Sequence, residues 1–130
     1  MATGYSGKAL YQKVGIVPGG AVRVEGYQGD YEALVGCPVG RGGPDAALVH
    51  LFVSREAALR EGLSAALPQL PDRGTIWVSW PKRASGVATD VTEDTIRAVA
   101  LPMGLVDIKV CAVDATWSGL KLVRRRNVGR

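Results

Sequence analysis

An α/β domain of three layers, with a mostly parallel sheet and a C-terminal antiparallel hairpin, is the fold this sequence predicts. Three observations predict it. Residues 47–53 and 76–80 are near-continuous apolar runs, rich in β-branched and aromatic side chains and suited to strands buried on both faces. Beside them stand two segments with apolar residues three and four apart: Leu59, Leu63, Ala66, Leu67 and Leu70, then Ile96, Val99, Ala100 and Met103. Finally, residues 106–110 and 117–123 alternate apolar and polar around the turn at Asp114-Ala115-Thr116, as hairpin strands do. Helices between buried strands imply right-handed crossovers, and so a sheet covered on both faces.

Each element has a local reason. Residues 8–14 suit a short helix with Leu10 and Val14 on one face, ended by Gly15. Val17-Pro18-Gly19-Gly20 is a turn leading into a strand over 21–25, where Val22 and Val24 share a face. Residues 26–46 are flexible in composition: one or two helical turns over 31–35, then a long surface loop around Cys37-Pro38, Gly40, Gly42, Gly43 and Pro44, with room for a short edge strand near Val39. Ser54 follows the strand over 47–53 and is the expected N-cap of the next helix, whose regular part Pro68 ends. The strand over 76–80 stops at Pro81, which has no N–H for a ladder. Asp90 is the expected N-cap of the last helix with Glu93 at its third position, and Gly104 the expected C-cap. Residues 1–7 are expected to be disordered and 124–130 to form a basic tail.

With 130 residues, 47% hydrophobic and 22% charged, the chain suits one soluble domain, residues 1–130, with a modest core. A formal charge of +4 and a pI of about 9.3 attract anions but fall short of a nucleic-acid-binding tail. No apolar run reaches the roughly 20 residues of a membrane span, and residues 1–8 lack the apolar core of a signal peptide. Two cysteines without CxxC or CxxH spacing and one histidine give no metal set, and they suit reduced thiols in a cytoplasm.

The expected site lies where parallel strands end. In an open α/β sheet, ligands bind outside the carboxyl ends. Three strand ends should meet there: Glu25-Gly26-Tyr27, Ser54-Arg55, and 81–86. The candidate ligand-binding residues are Gly26, Tyr27, Ser54, Trp80, Lys82, Arg83 and Ser85. Lys82 and Arg83 would hold an anion, with help from the N–H groups at the helix start near Asp90, although Asp90, Glu93 and Asp94 oppose this. Trp80 would floor a pocket for a planar ligand, whereas Trp77, three residues earlier, points to the opposite face. Against each reading stands a plainer one. Tryptophans are mostly core, and a basic loop is mostly a solvated face. His50, in mid-strand, reads as a satisfied core histidine rather than a base. Cys37 reads as exposed but weakly activated, and Cys111 as packed on a strand. Arg124, Arg125 and Arg126 read as a charge run that protects an edge strand.

Parallel strands finishing in a helix and an antiparallel hairpin, over residues 47–124, resemble the C-terminal half of the S-adenosylmethionine-dependent methyltransferase fold. The order of elements itself reads as a small Rossmann-like three-layer domain, and the resemblance implies a cofactor loop after the first strand. The text there is Val24-Glu25-Gly26-Tyr27-Gln28-Gly29-Asp30. It keeps two glycines but puts bulky side chains between them, and no second acidic strand end follows for a ribose. No cofactor is assigned on this basis. Across the whole chain, Gly4-Tyr5-Ser6-Gly7, Val49-His50-Leu51-Phe52-Val53, Trp77-Val78-Ser79-Trp80-Pro81-Lys82, residues 105–110 and Thr116-Trp117-Ser118-Gly119-Leu120-Lys121 resemble a domain-of-unknown-function family of short actinobacterial proteins (DUF3052-like). That resemblance implies a stand-alone cytoplasmic domain and brings no activity with it.

The function these readings support is a non-catalytic binding or regulatory module for a small anionic or nucleotide-like ligand or a protein partner. The rival is a reduced methyltransferase-like enzyme. Nucleic acid and membrane are not expected partners, and the hairpin edge leaves room for a homodimer.

Overall fold

The computed structural model describes residues 8–125. The expectations for residues 1–7 and 126–130, Gly4-Tyr5-Ser6-Gly7 and Arg126 among them, lie outside the described residues. Six strands form one sheet in the order β2-β1-β3-β4-β6-β5: β1 Ala21–Glu25, β2 Gly40–Arg41, β3 Leu48–Phe52, β4 Thr75–Pro81, β5 Leu105–Ala112 and β6 Trp117–Arg124. β2, β1, β3 and β4 pair in parallel, while β6 runs antiparallel to both β4 and β5. The hairpin therefore inserts its second strand next to β4 and leaves β5 outermost.

The helices are α1 Leu10–Val14, α2 Tyr31–Val35, α3 Glu56–Ala66 and α4 Glu93–Ala100. They cover opposite faces. On one side Val14, Ile16, Val22, Val35, Cys37 and Trp77 form a core under α1 and α2; on the other, Val49, Leu51, Leu63, Val78, Trp80, Ile96 and Leu122 pack with α3 and α4. Strand alternation sends Trp77 to the first core and Trp80 to the second, as period-2 geometry requires. Fully burying one large apolar side chain contributes about 1.5–3 kcal/mol. The Trp77 indole also donates to the Val14 carbonyl at 2.9 Å, which ties α1 to the sheet.

Several local expectations are corrected. Arg55, not Ser54, is the α3 N-cap, and it makes no side-chain cap; the Asp90 carboxylate instead accepts from the Glu56 N–H at 2.7 Å. Thr92, not Asp90, caps α4, by accepting from Thr95 N–H, so Glu93 is the first helical residue. Cys37 is buried, not exposed, because the segment carrying it folds inward under α2. Arg124 is not free tail: it lies on β6, and its guanidinium donates to the carbonyls of Leu67 and Leu70 where α3 runs out. Arg125 likewise donates to Leu101 O after α4. The strand those residues close is internal to the sheet; the edge is β5, where Ile108 and Val110 are exposed and the register shifts between Asp107 and Lys109. Among the described residues no helix is long and apolar enough to cross a membrane.

Candidate functional site at the carboxyl rim

Parallel pairing of β1 with β3 and of β3 with β4 puts the chain after Glu25, Phe52 and Pro81 on one rim. The loops there are tied to each other. Ser54 O accepts from Thr89 Oγ1 at 2.7 Å and from Asp90 N–H at 3.2 Å, and the Lys82 N–H donates to Thr116 O at 2.7 Å. Gly26 carries the crossing from β1, at φ 86°, and a Cβ on it would stand 2.3 Å from Phe52 O. Only glycine fits that passage.

Aromatic rings fill the rim on the α2 face. His50 and Phe52, two apart on β3, stack at 4.2 Å between centroids. Tyr27 lies against Phe52 at 4.7 Å, Tyr31 meets Phe52 edge-on at 6.2 Å, and Trp117 approaches it edge-on at 5.1 Å. Phe52 is buried by these neighbours, while Tyr27 and Trp117 keep part of their surface in solvent. Beneath them Tyr31 OH and Ser79 Oγ hydrogen-bond the two ring nitrogens of His50, both at 2.7 Å. His50 and Ser79 are fully buried. Burial pushes the His50 pKa down to about 3 and holds the Tyr31 phenol well above its usual range. The pair is a neutral internal network. His50 and Ser79 are sealed from solvent, and Tyr31 alone of the three reaches the surface.

The seven sequence-predicted residues divide around this rim. Gly26 and Tyr27 lie on the β1 loop, Tyr27 against the aromatic stack. Trp80 is 8% exposed in the opposite core, so the sheet separates it from Tyr27. Ser54 takes part through its carbonyl. Lys82 precedes a single 3-10 turn, Arg83–Ser85, in which Ser85 Oγ donates to Lys82 O at 2.7 Å and accepts from Val87 N–H, so that hydroxyl is engaged within the turn. Lys82, half-buried, and Arg83, exposed, form no ion pair among the described residues, and neither does Arg55 at the start of α3. The helix starts nearby are satisfied from within, α3 by Asp90 and α4 by Thr92. Trp117 and Phe52 were not among the seven. Phe52 is legible as the residue two beyond His50 on one strand, whereas Trp117 becomes a neighbour only through the β4–β6 register, where it faces Pro81.

A second feature adjoins the rim. β2 pairs only with Ala21 and Val22, so β1 beyond Val22 has no strand on its outer side. A depression of about 690 Å³ opens there, lined by Arg23, Glu25, Gly29, Asp30, Tyr31 and Arg41 among others. Arg23 is held by Glu25 at 3.1 Å and by Pro44 O, and Asp30 caps α2 through Ala33 N–H. Arg41 forms no ion pair among the described residues.

The class this architecture defines is the methyltransferase-like α/β fold. Solved structures of LepI resemble it: a LepI variant in complex with SAH and a substrate analogue (TM-score 0.53, 13% identity, 89% of this chain and 39% of that chain), and LepI in complex with SAM (TM-score 0.50, 12% identity, with the same coverage). A ribosomal protein L11 methylase from Lactobacillus delbrueckii subsp. bulgaricus also resembles it (TM-score 0.46, 12% identity, 73% of this chain and 50% of that chain). This chain thus spans half or less of the length of those three structures. No curated protein sequence matches it. The chain belongs to the family described as "Protein of unknown function (DUF3052)", which matches residues 44–126.

Proposed function

We propose that this protein is a binding module whose carboxyl rim takes a small, planar, anionic ligand of nucleotide type. The observation that carries the reading is the meeting of two features on one rim. Part-exposed aromatic rings, Tyr27 and Trp117, flank Phe52, and the neighbouring loops carry Lys82, Arg83 and Arg55, which form no ion pair among the described residues. Stacking a base on an aromatic ring is worth about 1–3 kcal/mol, and a cation beside it adds a charge-assisted contact to phosphate. Binding rather than chemistry is favoured because the Ser79–His50 contact is sealed in the core and neutral.

A reduced methyltransferase-like enzyme is the second reading. The depression beside the Gly26 loop favours it, as does the likeness to LepI, solved in complex with SAH and with SAM. A thermal-shift comparison separates the two, with adenosine monophosphate, S-adenosylmethionine and S-adenosylhomocysteine as ligands. Adenosine monophosphate should raise Tm, and the double variant Lys82→Ala, Arg83→Ala should abolish that rise while leaving the ligand-free Tm within a degree or so. A rise with the two methionine derivatives alone, undiminished in the double variant, would transfer the assignment to the depression.

A further inference from the structure

Away from the rim, at the amino-terminal side of the parallel strands, a groove of about 280 Å³ is lined by Val14, Ile16, Val17, Leu48, Thr75 and Lys121, with others. Leu48 and Thr75 are the first residues of β3 and β4. The walls are therefore mostly apolar with one cation, the usual character of a small-molecule site. Its volume has room for roughly nine water-sized groups.

The charge beside it has no internal reason. Lys121 on β6 lies directly opposite Lys109 on β5, and its other neighbour in the ladder is Trp77. Like charges facing each other across strands destabilise a sheet. The pair is not relieved by an acid: neither lysine makes an ion pair among the described residues, and the Lys109 ammonium donates only to the Lys13 carbonyl, at 3.3 Å. Lys13 and Lys109 both reach the half-buried Cys111 thiol electrostatically, working against the burial that raises its pKa. Lys121 thus lines an apolar groove with the like charge of Lys109 directly across the strand from it. A lysine ammonium is a compact point charge, and beside a mostly apolar wall its complement is a small anionic head on an apolar body.

From this geometry we infer a second ligand site, separate from the carboxyl rim, in which the groove holds the apolar body of an organic carboxylate and Lys121, with Lys109 beside it, holds the carboxylate. The apolar part loses its contact with water against Ile16, Val17 and Leu48, and Val17, 73% exposed in the free protein, gains cover.

The test is a titration of the whole chain followed by backbone amide NMR shifts, with hexanoate and the uncharged hexanol as probes. Hexanoate should perturb Ile16, Leu48, Thr75 and Lys121 saturably and bind about tenfold or more tightly than hexanol, the size expected of one hydrogen bond to a charged group. Lys121→Met, which keeps an unbranched stem, should remove that preference, and Lys109→Met should reduce it. The double variant Lys82→Ala, Arg83→Ala should leave it unchanged, so failure of the rim reading and failure of this one are told apart. Equal binding of the two probes overturns the inference, as do shifts that appear at Tyr27 and Lys82 instead. A Glu-rich peptide that binds the lysines while hexanoate leaves the groove silent also overturns it. Should Lys121→Met not fold, the contrast between the two probes on the unaltered chain still decides.

Discussion

Position 50 sits in mid-strand between two cores, where a charged imidazolium would have no water and no counter-ion. The ring stays neutral, with one nitrogen facing Tyr31 OH and the other Ser79 Oγ, and both polar atoms are satisfied without ionisation. This has a consequence for stability. The folded pKa of about 3 lies below the ordinary 6.5, so on acidification the unfolded chain takes up the proton first. The stabilisation from neutral His50 is complete above about pH 6.5 and is lost progressively as pH falls toward about 3, by about 1.4 kcal/mol per pH unit once below 6.5. Denaturant unfolding between pH 6 and 5 should approach that slope, and His50→Leu should largely flatten it; a His50 ring resonance that titrates near pH 6.5 in the folded protein would contradict the account. The residue type and its mid-strand place were enough to mark His50 as a core histidine. Its two partners were not legible, because Tyr31 and Ser79 stand 19 and 29 residues away in the chain.

At the scale of elements, the two long helices show how far local signals carry. The apolar spacing of Leu59, Leu63 and Ala66, and of Ile96 and Val99, marks the faces that the structure buries. Their starts are another matter. Ser54 stands where an N-cap would stand, but the α3 cap comes from Asp90, 34 residues on, across the loop that also docks on Ser54 O. A chain-local rule cannot find an acceptor supplied by a different loop. Asp90→Ala should therefore cost about 0.5–2 kcal/mol, the value of a lost cap, whereas Ser54→Ala should stay within about 0.5 kcal/mol. Urea unfolding of both variants checks the ranking, and the reverse order would restore Ser54 as the cap. α4 shows the same limit on a smaller scale: Thr92 with Thr95 closes the helix start, and Asp90 is thereby released for its partner.

For the whole molecule, the sheet order decides which loops become neighbours. Continuous apolar runs at 47–53 and 76–80 imply parallel central strands, and the alternating runs at the end imply a hairpin. The sequence therefore contains the layers and the common rim. What it lacks is the order within the hairpin: inserting β6 beside β4 sets Trp117 against Pro81 and brings its ring to Phe52. It also lacks the depth of Trp80, whose face was readable but whose burial depends on Val91 and the helices above it. The rim that results carries Tyr27 and Trp117 as its part-exposed aromatics, with the cations of the β4 loop beside them.

The most direct measurement is a titration of the protein with adenosine monophosphate, read by amide and indole NMR shifts. Binding at the rim predicts saturable shifts at Tyr27, Lys82, Arg83 and the Trp117 indole, with the Trp77 and Trp80 indoles nearly still. Shifts confined to Gly29, Asp30 and Arg41, or none at all at millimolar nucleotide, would contradict it.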